Sequence, residues 1–239
     1  MATLCLDTAT QHGVVVVARD GGPPASVRWR SSGRHGEHLF GHIESAMSEA
    51  CVTRADLSMV GVDIGPGGFT SLRVGLATAK GLALGLDLPI VGVSSLRVLA
   101  RSIDADAETV RVALMNAYRG DLFAAAYRMN ADDVDVLVEP FFGTPVDVLT
   151  AVHQVVGSAK VDFRGEGVTP HRGLIESTFE RVAEAGDDVA CPDAEALLEE
   201  VRLVHQTQGP ADLATLEPAY LRSSDAQLPA RPLRTEHSS

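Results

Sequence analysis

The residues of this chain that could do chemistry fall into a few groups, and the densest is Gly65-Pro66-Gly67-Gly68-Phe69-Thr70. Glycines between a strand and a helix can turn backbone N–H groups toward a phosphate, and the helix dipole favours the anion. The same glycines also make a tight turn that lets a helix pack closely on a sheet. No Lys-Ser/Thr follows at the spacing of a phosphate loop, so Gly65, Gly67, Gly68 and Thr70 would form at most half a nucleotide site. Asp7, in Asp7-Thr8-Ala9-Thr10, is either a phosphate-site carboxylate or a turn residue completed by threonine hydrogen bonds. His38 and His42 are spaced i and i+4, as in some zinc sites, but no glutamate or third ligand accompanies them. A solvated or interface histidine pair is the alternative, and no metal site is expected. Neither Ser94-Ser95 nor any cysteine has the partners of a catalytic nucleophile, and there is no Gly-x-Ser-x-Gly elbow.

The elements that must position these groups follow from periodicity. Residues 3–7, 13–18 and 25–30 are short β-rich runs separated by turn residues, and they predict three antiparallel strands. Leu39, Ile43, Ala46, Met47 and Ala50 recur at helical spacing through residues 37–51, and 59–64 reads as a buried strand. Thr70 is placed to cap a helix carrying Leu72, Leu76, Ala79 and Ala83 to about residue 86. A strand at 90–93 and a helix from about Ser95 follow. The order then begins again: strands at 110–115, 122–127 and 136–138, a helix opened by Thr144-Pro145-Val146-Asp147, a strand at 161–164, and helices near 174–185 and 192–204. Strand-strand-strand-helix-strand-helix, stated twice, predicts an α/β chain of two similar lobes, each a mixed sheet with flanking helices. That topology resembles the actin-like ATPase (RNase H-like) fold, in which the first strand ends on a carboxylate near metal-bound phosphate. The lobes are expected at 1–104 and 105–222, with a loose polar tail at 223–239.

Gly75, Gly81 and Gly85 lie inside the second helix, where each lowers helix stability by about 1 kcal/mol relative to alanine. Such a repeated penalty predicts close approach by another backbone, either the sheet or a second chain.

Net charge is −12, and only Lys80 and Lys160 accompany the arginines, with no basic run. An acidic chain is poorly made to hold RNA alone, since such binding depends on a basic patch that displaces counterions. The three cysteines, Cys5, Cys51 and Cys191, fit no metal-ligand spacing and read as reduced, mostly buried thiols. Met1 to Asp7 lead into an apolar strand with no basic leader, and no apolar run is long enough for a membrane span, which predicts a cytoplasmic address.

Residues 64–96 resemble the TsaB family, also called YeaZ, whose usual form is Gly-Pro-Gly-Ser-Phe-Thr-Gly-Leu-Arg-Ile-Gly, an Ala-Lys-Gly-Leu helix and Val-Gly-Val-Ser-Ser-Leu. Leu6-Asp7-Thr8-Ala9-Thr10, His35-Gly36-Glu37-His38-Leu39 and Glu217-Pro218-Ala219-Tyr220-Leu221-Arg222 carry the same resemblance at both ends. Gly68, Ser71 and Asn116-Ala117-Tyr118-Arg119-Gly120-Asp121 depart from the family's usual residues. The resemblance implies a non-catalytic subunit supporting threonylcarbamoyl transfer to the adenosine beside the anticodon of tRNA. Its implied partners are the catalytic paralogue TsaD and the ATPase TsaE, with tRNA met only through the complex. The paralogue's metal-binding His-x-x-x-His has no counterpart in residues 91–96. No cofactor is expected to bind tightly, ATP or ADP being possible only within the complex. The expected partner surface lies on helices 37–51 and 70–86, through Leu39, Ile43, Met47, Leu72, Gly75, Leu76 and Ala79, and a homodimer could use it when the paralogue is absent. An actin-like small-molecule phosphotransferase and a glycoprotease-like peptidase are the competing functions.

Overall fold

The computed structural model describes residues 1–31, 35–103, 105–129, 134–183 and 192–221. The expected tail at 223–239 and Cys191 lie outside the described residues. The first sheet has the order β3-β2-β1-β4-β5, built from β1 (Ala2–Asp7), β2 (His12–Arg19), β3 (Ala25–Arg30), β4 (Leu57–Gly65) and β5 (Ile90–Ser94). β1 pairs antiparallel with β2 and parallel with β4. The second sheet has the order β8-β7-β6-β9, from β6 (Val110–Asn116), β7 (Leu122–Met129), β8 (Val134–Gly143) and β9 (Val161–Arg164). The three-antiparallel-then-parallel pattern occurs in both, and a parallel bridge of Val182 to Val161 of β9 holds the place beside β9 that β5 holds beside β4. β8 is longer than expected because Pro140, which reads as a strand breaker, sits on an edge strand where no inward N–H is needed.

Side-chain alternation explains how β1 and β2 are buried on both faces. Leu4, Leu6, Val15 and Val17 point into the core beneath α1 (His35–Glu49) and α2 (Phe69–Leu86), whereas Cys5, Val14 and Val16 point the opposite way. That opposite face is covered by the last helix, α6 (Ala194–Gln208), through Leu197, Leu198, Val201 and Val204. In β4, Gly61 has no side chain because a Cβ there would run into Val201. The chain therefore returns to the first lobe. Beyond α6, Ala211 N–H donates to Ile90 O (2.8 Å), Lys80 Nζ to Leu216 O (2.9 Å) and Ala219 N–H to Ile64 O (2.7 Å). The expectation that 105–222 forms one lobe is corrected accordingly: residues 194–221 pack on the first sheet.

α3 (Ser95–Arg101) lies between the lobes. Its Leu96, Leu99 and Ala100 meet Ala113, Met115, Phe123 and Tyr127 of the second sheet, while Val98 joins the cluster under α6. The α3–α6 contact also buries charge: Arg97 Nε lies 2.6 Å from Glu200 Oε1, and Arg101 Nε donates to Glu200 Oε2 at 2.9 Å. In the second lobe α4 (Pro145–Val156) starts as expected, Thr144 Oγ1 accepting from Asp147 N–H. α5 (Arg172–Thr178) is shorter than expected. Cys5 is buried, but Cys51 is exposed, contrary to the expected burial. No helix among the described residues is long and apolar enough to cross a membrane.

Candidate functional site

Between the lobes is a cleft of about 350 Å³, lined among others by Thr10, Gly67, Gly68, Asn116, Tyr118 and Glu166. β1 delivers the turn at residues 7–10 to one wall. Asp7 Oδ1 accepts from Ala9 N–H (2.8 Å), and Thr8 Oγ1 donates to Ser71 O (2.7 Å), tying this turn to the first turn of α2. β4 ends in the glycine loop, where Gly65 has φ 111° and its bond to Pro66 is cis. Gly67 is a glycine because a Cβ would strike Ala9 O, and Gly68 N–H donates to that same carbonyl at 2.8 Å. The loop thus folds onto the neighbouring turn, and its Gly68 N–H is already committed.

Beneath the loop is a residue that periodicity missed. Asp63 lies in the apolar run of β4, buried with Asp7, whose charge it feels. Its Oδ1 accepts from Gly65 N–H (2.6 Å) and lies 2.7 Å from Ser95 Oγ, whose single proton also has Pro66 O within 2.8 Å. Burial pushes the Asp7 carboxyl up to about 6, and burial together with the Asp7 charge pushes Asp63 well above the usual carboxylate range. Two buried like charges share a proton more readily than both ionise. An acid within an otherwise apolar strand was the available signal. Glu166, across the cleft, is also raised by burial.

The five expected phosphate-side residues are thus only partly brought together. Gly67 and Gly68 line the cleft, Asp7 and Gly65 are buried beneath it, and Thr70 lies on the exposed first turn of α2. Thr70 is not the cap: α2 begins at Phe69, with Gly68 at the N-cap position.

The seven residues expected at a partner surface are corrected as a set. Leu39, Ile43, Met47, Leu76 and Ala79 are buried in the core under α1 and α2, Leu72 is buried between the lobes, and Gly75 is pressed onto Thr8. Helical periodicity marks the face that packs inward, and here it packs on the chain's own sheet. The outward faces hold Phe40 (60% exposed) and Leu84 (72% exposed), with Gly41, Ala77, Gly81 and Gly85 exposed on the same helices. A Cβ at Gly81 or Gly85 would meet nothing within 4 Å, so packing inside the chain explains Gly75 alone of the three. His42 is stacked on Trp29 at 4.3 Å between ring centroids, and its ring is 6.3 Å from that of His38.

The first turns of α2 meet the segment that follows α6. Arg73 Nε donates to Tyr220 Oη (2.9 Å), its guanidinium lies 3.8 Å from the centre of the Phe69 ring, and Phe69 stacks on Tyr220 at 5.1 Å.

A family model described as "TsaD: tRNA N6-adenosine threonylcarbamoyltransferase" matches residues 29–229. The chain is 29% identical over 135 residues to the tRNA threonylcarbamoyladenosine biosynthesis protein TsaB of Escherichia coli K12, an alignment spanning 56% of this chain and 58% of that relative's length. It is 24% identical to the Bacillus subtilis protein of the same name over 227 residues, covering 95% of this chain and 96% of the relative. Among solved structures, "YeaZ from Pseudomonas aeruginosa" is similar with a TM-score of 0.74 and 21% identity, covering 92% of this chain and 99% of that one. A protein described as having "similarity to peptidase YEAZ from Pseudomonas aeruginosa" gives 0.79 and 24% over the same shares. At those identities the structures speak for the fold, while the family follows from the match across residues 29–229 and from the TsaB relatives. The chain belongs to the TsaB (YeaZ) family, within the wider group that this TsaD family model describes.

Proposed function

We propose that the chain is a non-catalytic subunit supporting threonylcarbamoyl transfer to the adenosine next to the anticodon of tRNA. It binds a TsaD-like catalytic paralogue and works with a TsaE-like ATPase, and it meets tRNA only through the complex. The observation that carries this reading is the committed state of the glycine loop. Gly68 N–H is held by Ala9 O, and the carboxylates that would hold a metal-bound phosphate lie buried against each other. Oxyanion or phosphate stabilisation needs donors aimed into the cleft, and the Gly65 and Gly68 N–H groups are held by Asp63 and Ala9 instead. The names of the TsaB relatives support the pathway. The outward faces of α1 and α2, with Phe40 and Leu84, supply the contact for the paralogue or, in its absence, for a second copy. ATP or ADP, where it binds at all, does so at a subunit interface.

Reconstitution of tRNA modification with each subunit omitted in turn tests this. Modification should be lost without this chain, and the chain alone should neither modify tRNA nor turn over ATP. The convergence of Asp7 and Asp63 is the one feature favouring an actin-like phosphotransferase instead, and ATP turnover by the isolated chain would select that function.

A further inference from the structure

The far end of α3 carries a cation that its own partners engage only in part. Glu200 is fully buried between Arg97 and Arg101, whose Nε atoms lie 2.6 and 2.9 Å from its two oxygens. One carboxylate against two guanidiniums leaves one positive charge over, and burying a charge is costly unless it is paired. Arg101 is the more enclosed of the two, its side chain 10% exposed against 23% for Arg97. Its Nε serves Glu200, while its Nη2 is buried with no hydrogen-bond partner among the described residues. Buried polar groups in native folds are nearly always partnered, so an open guanidinium nitrogen marks a place where something else binds.

Arg101 also lines a cleft of about 670 Å³, a size suited to a small molecule, whose lining is more polar than apolar. The second guanidinium of that lining, Arg111, is engaged, its Nη2 donating to Ala105 O at 2.8 Å. Asp193 is likewise engaged, with Arg28 at 2.8 Å and with the first N–H groups of α6. The remaining charges are Glu195 and Glu199, exposed and one helical turn apart on α6. The cleft therefore joins a buried cation to a pair of exposed anions. A carboxylate matches the single charge left over at Arg101 and the planar fork of its guanidinium. A phosphate ester carries about −1.5 to −2 charges at neutral pH, which Glu195 and Glu199 disfavour. An ammonium group on the same molecule as the carboxylate would meet those two glutamates. A protein partner is usually anchored by aromatic side chains in a desolvated pocket, which a polar lining does not favour.

We propose that this cleft binds a small zwitterion of the amino-acid class, its carboxylate on Arg101 and its ammonium group toward Glu195 and Glu199. The full chain, melted in the presence of each common amino acid at millimolar concentration, should be stabilised by at least one of them, since binding to the native state raises the melting temperature. Acetate, methylammonium and inorganic phosphate, each offered alone, should raise it less. Calorimetric titration with the most stabilising amino acid should show its affinity falling roughly tenfold or more in Arg101→Met, as for loss of a charged hydrogen-bond partner. Arg97 remains to pair with Glu200 one to one in that variant. Glu195→Gln together with Glu199→Gln should weaken binding as well, and because both side chains are exposed this pair tests the site with the fold intact even where Arg101→Met unfolds. Stabilisation by no amino acid, or stabilisation equalled by one of the three simple ions, would overturn the proposal. So would unchanged affinity in the glutamine pair or in folded Arg101→Met.

Discussion

Two buried polar centres lie at opposite ends of α3 and solve the same problem in different ways. At its start Ser95 meets Asp63, which is buried with Asp7, a pair of like charges. At its end Arg101, with Arg97, meets Glu200, a set of opposite charges in which the carboxylate is fully buried. The first centre is made tolerable by a proton and by N–H donors from Ala9 and Gly65. The second keeps its charges and repays their desolvation by pairing. The difference assigns the two ends of the helix different properties: the cleft end holds a proton between two acids, and the far end ties α6 to the lobe junction by ion pairs.

Breaking the far end should have the largest effect. Glu200→Gln leaves two largely buried arginines facing an uncharged amide, and removal of one partner from a buried ion pair destabilises by roughly 3–5 kcal/mol. Urea denaturation should show this, and replacing the whole set, Arg97→Met, Arg101→Met and Glu200→Leu, should recover most of the loss. Failure of the apolar set to recover stability would mean that the charges do more than satisfy one another.

The cleft end should behave in the opposite sense. The Asp7 carboxyl is raised from 3.8 to about 6 in the fold, so between those values the folded chain holds more protons than the unfolded one. The associated stability is complete below pH 3.8 and is lost as the pH rises through about 6. Asp7→Asn keeps an acceptor for Ala9 N–H and a donor for Asp63, so it should flatten this dependence. It should also stabilise the chain at neutral pH by up to about 3 kcal/mol. Melting curves across that window check both statements, and a destabilised Asp7→Asn variant would show that the ionised carboxylate is what the fold needs.

A smaller contrast lies within α2. Gly75→Ala should destabilise by roughly 1–3 kcal/mol because its Cβ would overlap Thr8 Oγ1. Gly81→Ala, with open space around it, should stabilise by up to about 1 kcal/mol. If Gly81→Ala also weakens co-purification of the paralogue, the outward face of α2 is the contact.

Periodicity made much of the fold legible, because alternating valines and i, i+3, i+4 leucines report which faces are buried. It could not say what buries them. Leu39, Ile43 and Leu76 read as a surface for another chain, yet they cover the first sheet of this one. The return of α6 to the first lobe was hidden for the same reason: an amphipathic helix such as the one with Leu197 and Val201 does not name its sheet. In the candidate site, Asp7 and the glycine loop were legible as short-range motifs. Asp63, Glu166 and Glu200 were not, since their meaning comes from neighbours distant in sequence.

The most direct measurement is the rate of tRNA modification by the reconstituted complex carrying Asp7→Asn and Asp63→Asn together. A supporting subunit whose buried carboxyl pair takes no part in the chemistry predicts a rate within about twofold of the parent, since loss of a group that transfers no proton leaves the reaction without the roughly 10²–10⁴-fold penalty of a missing acid or base. A loss of a hundredfold or more, with the variant folded and still bound to its paralogue, would contradict the account and place the pair in the chemistry.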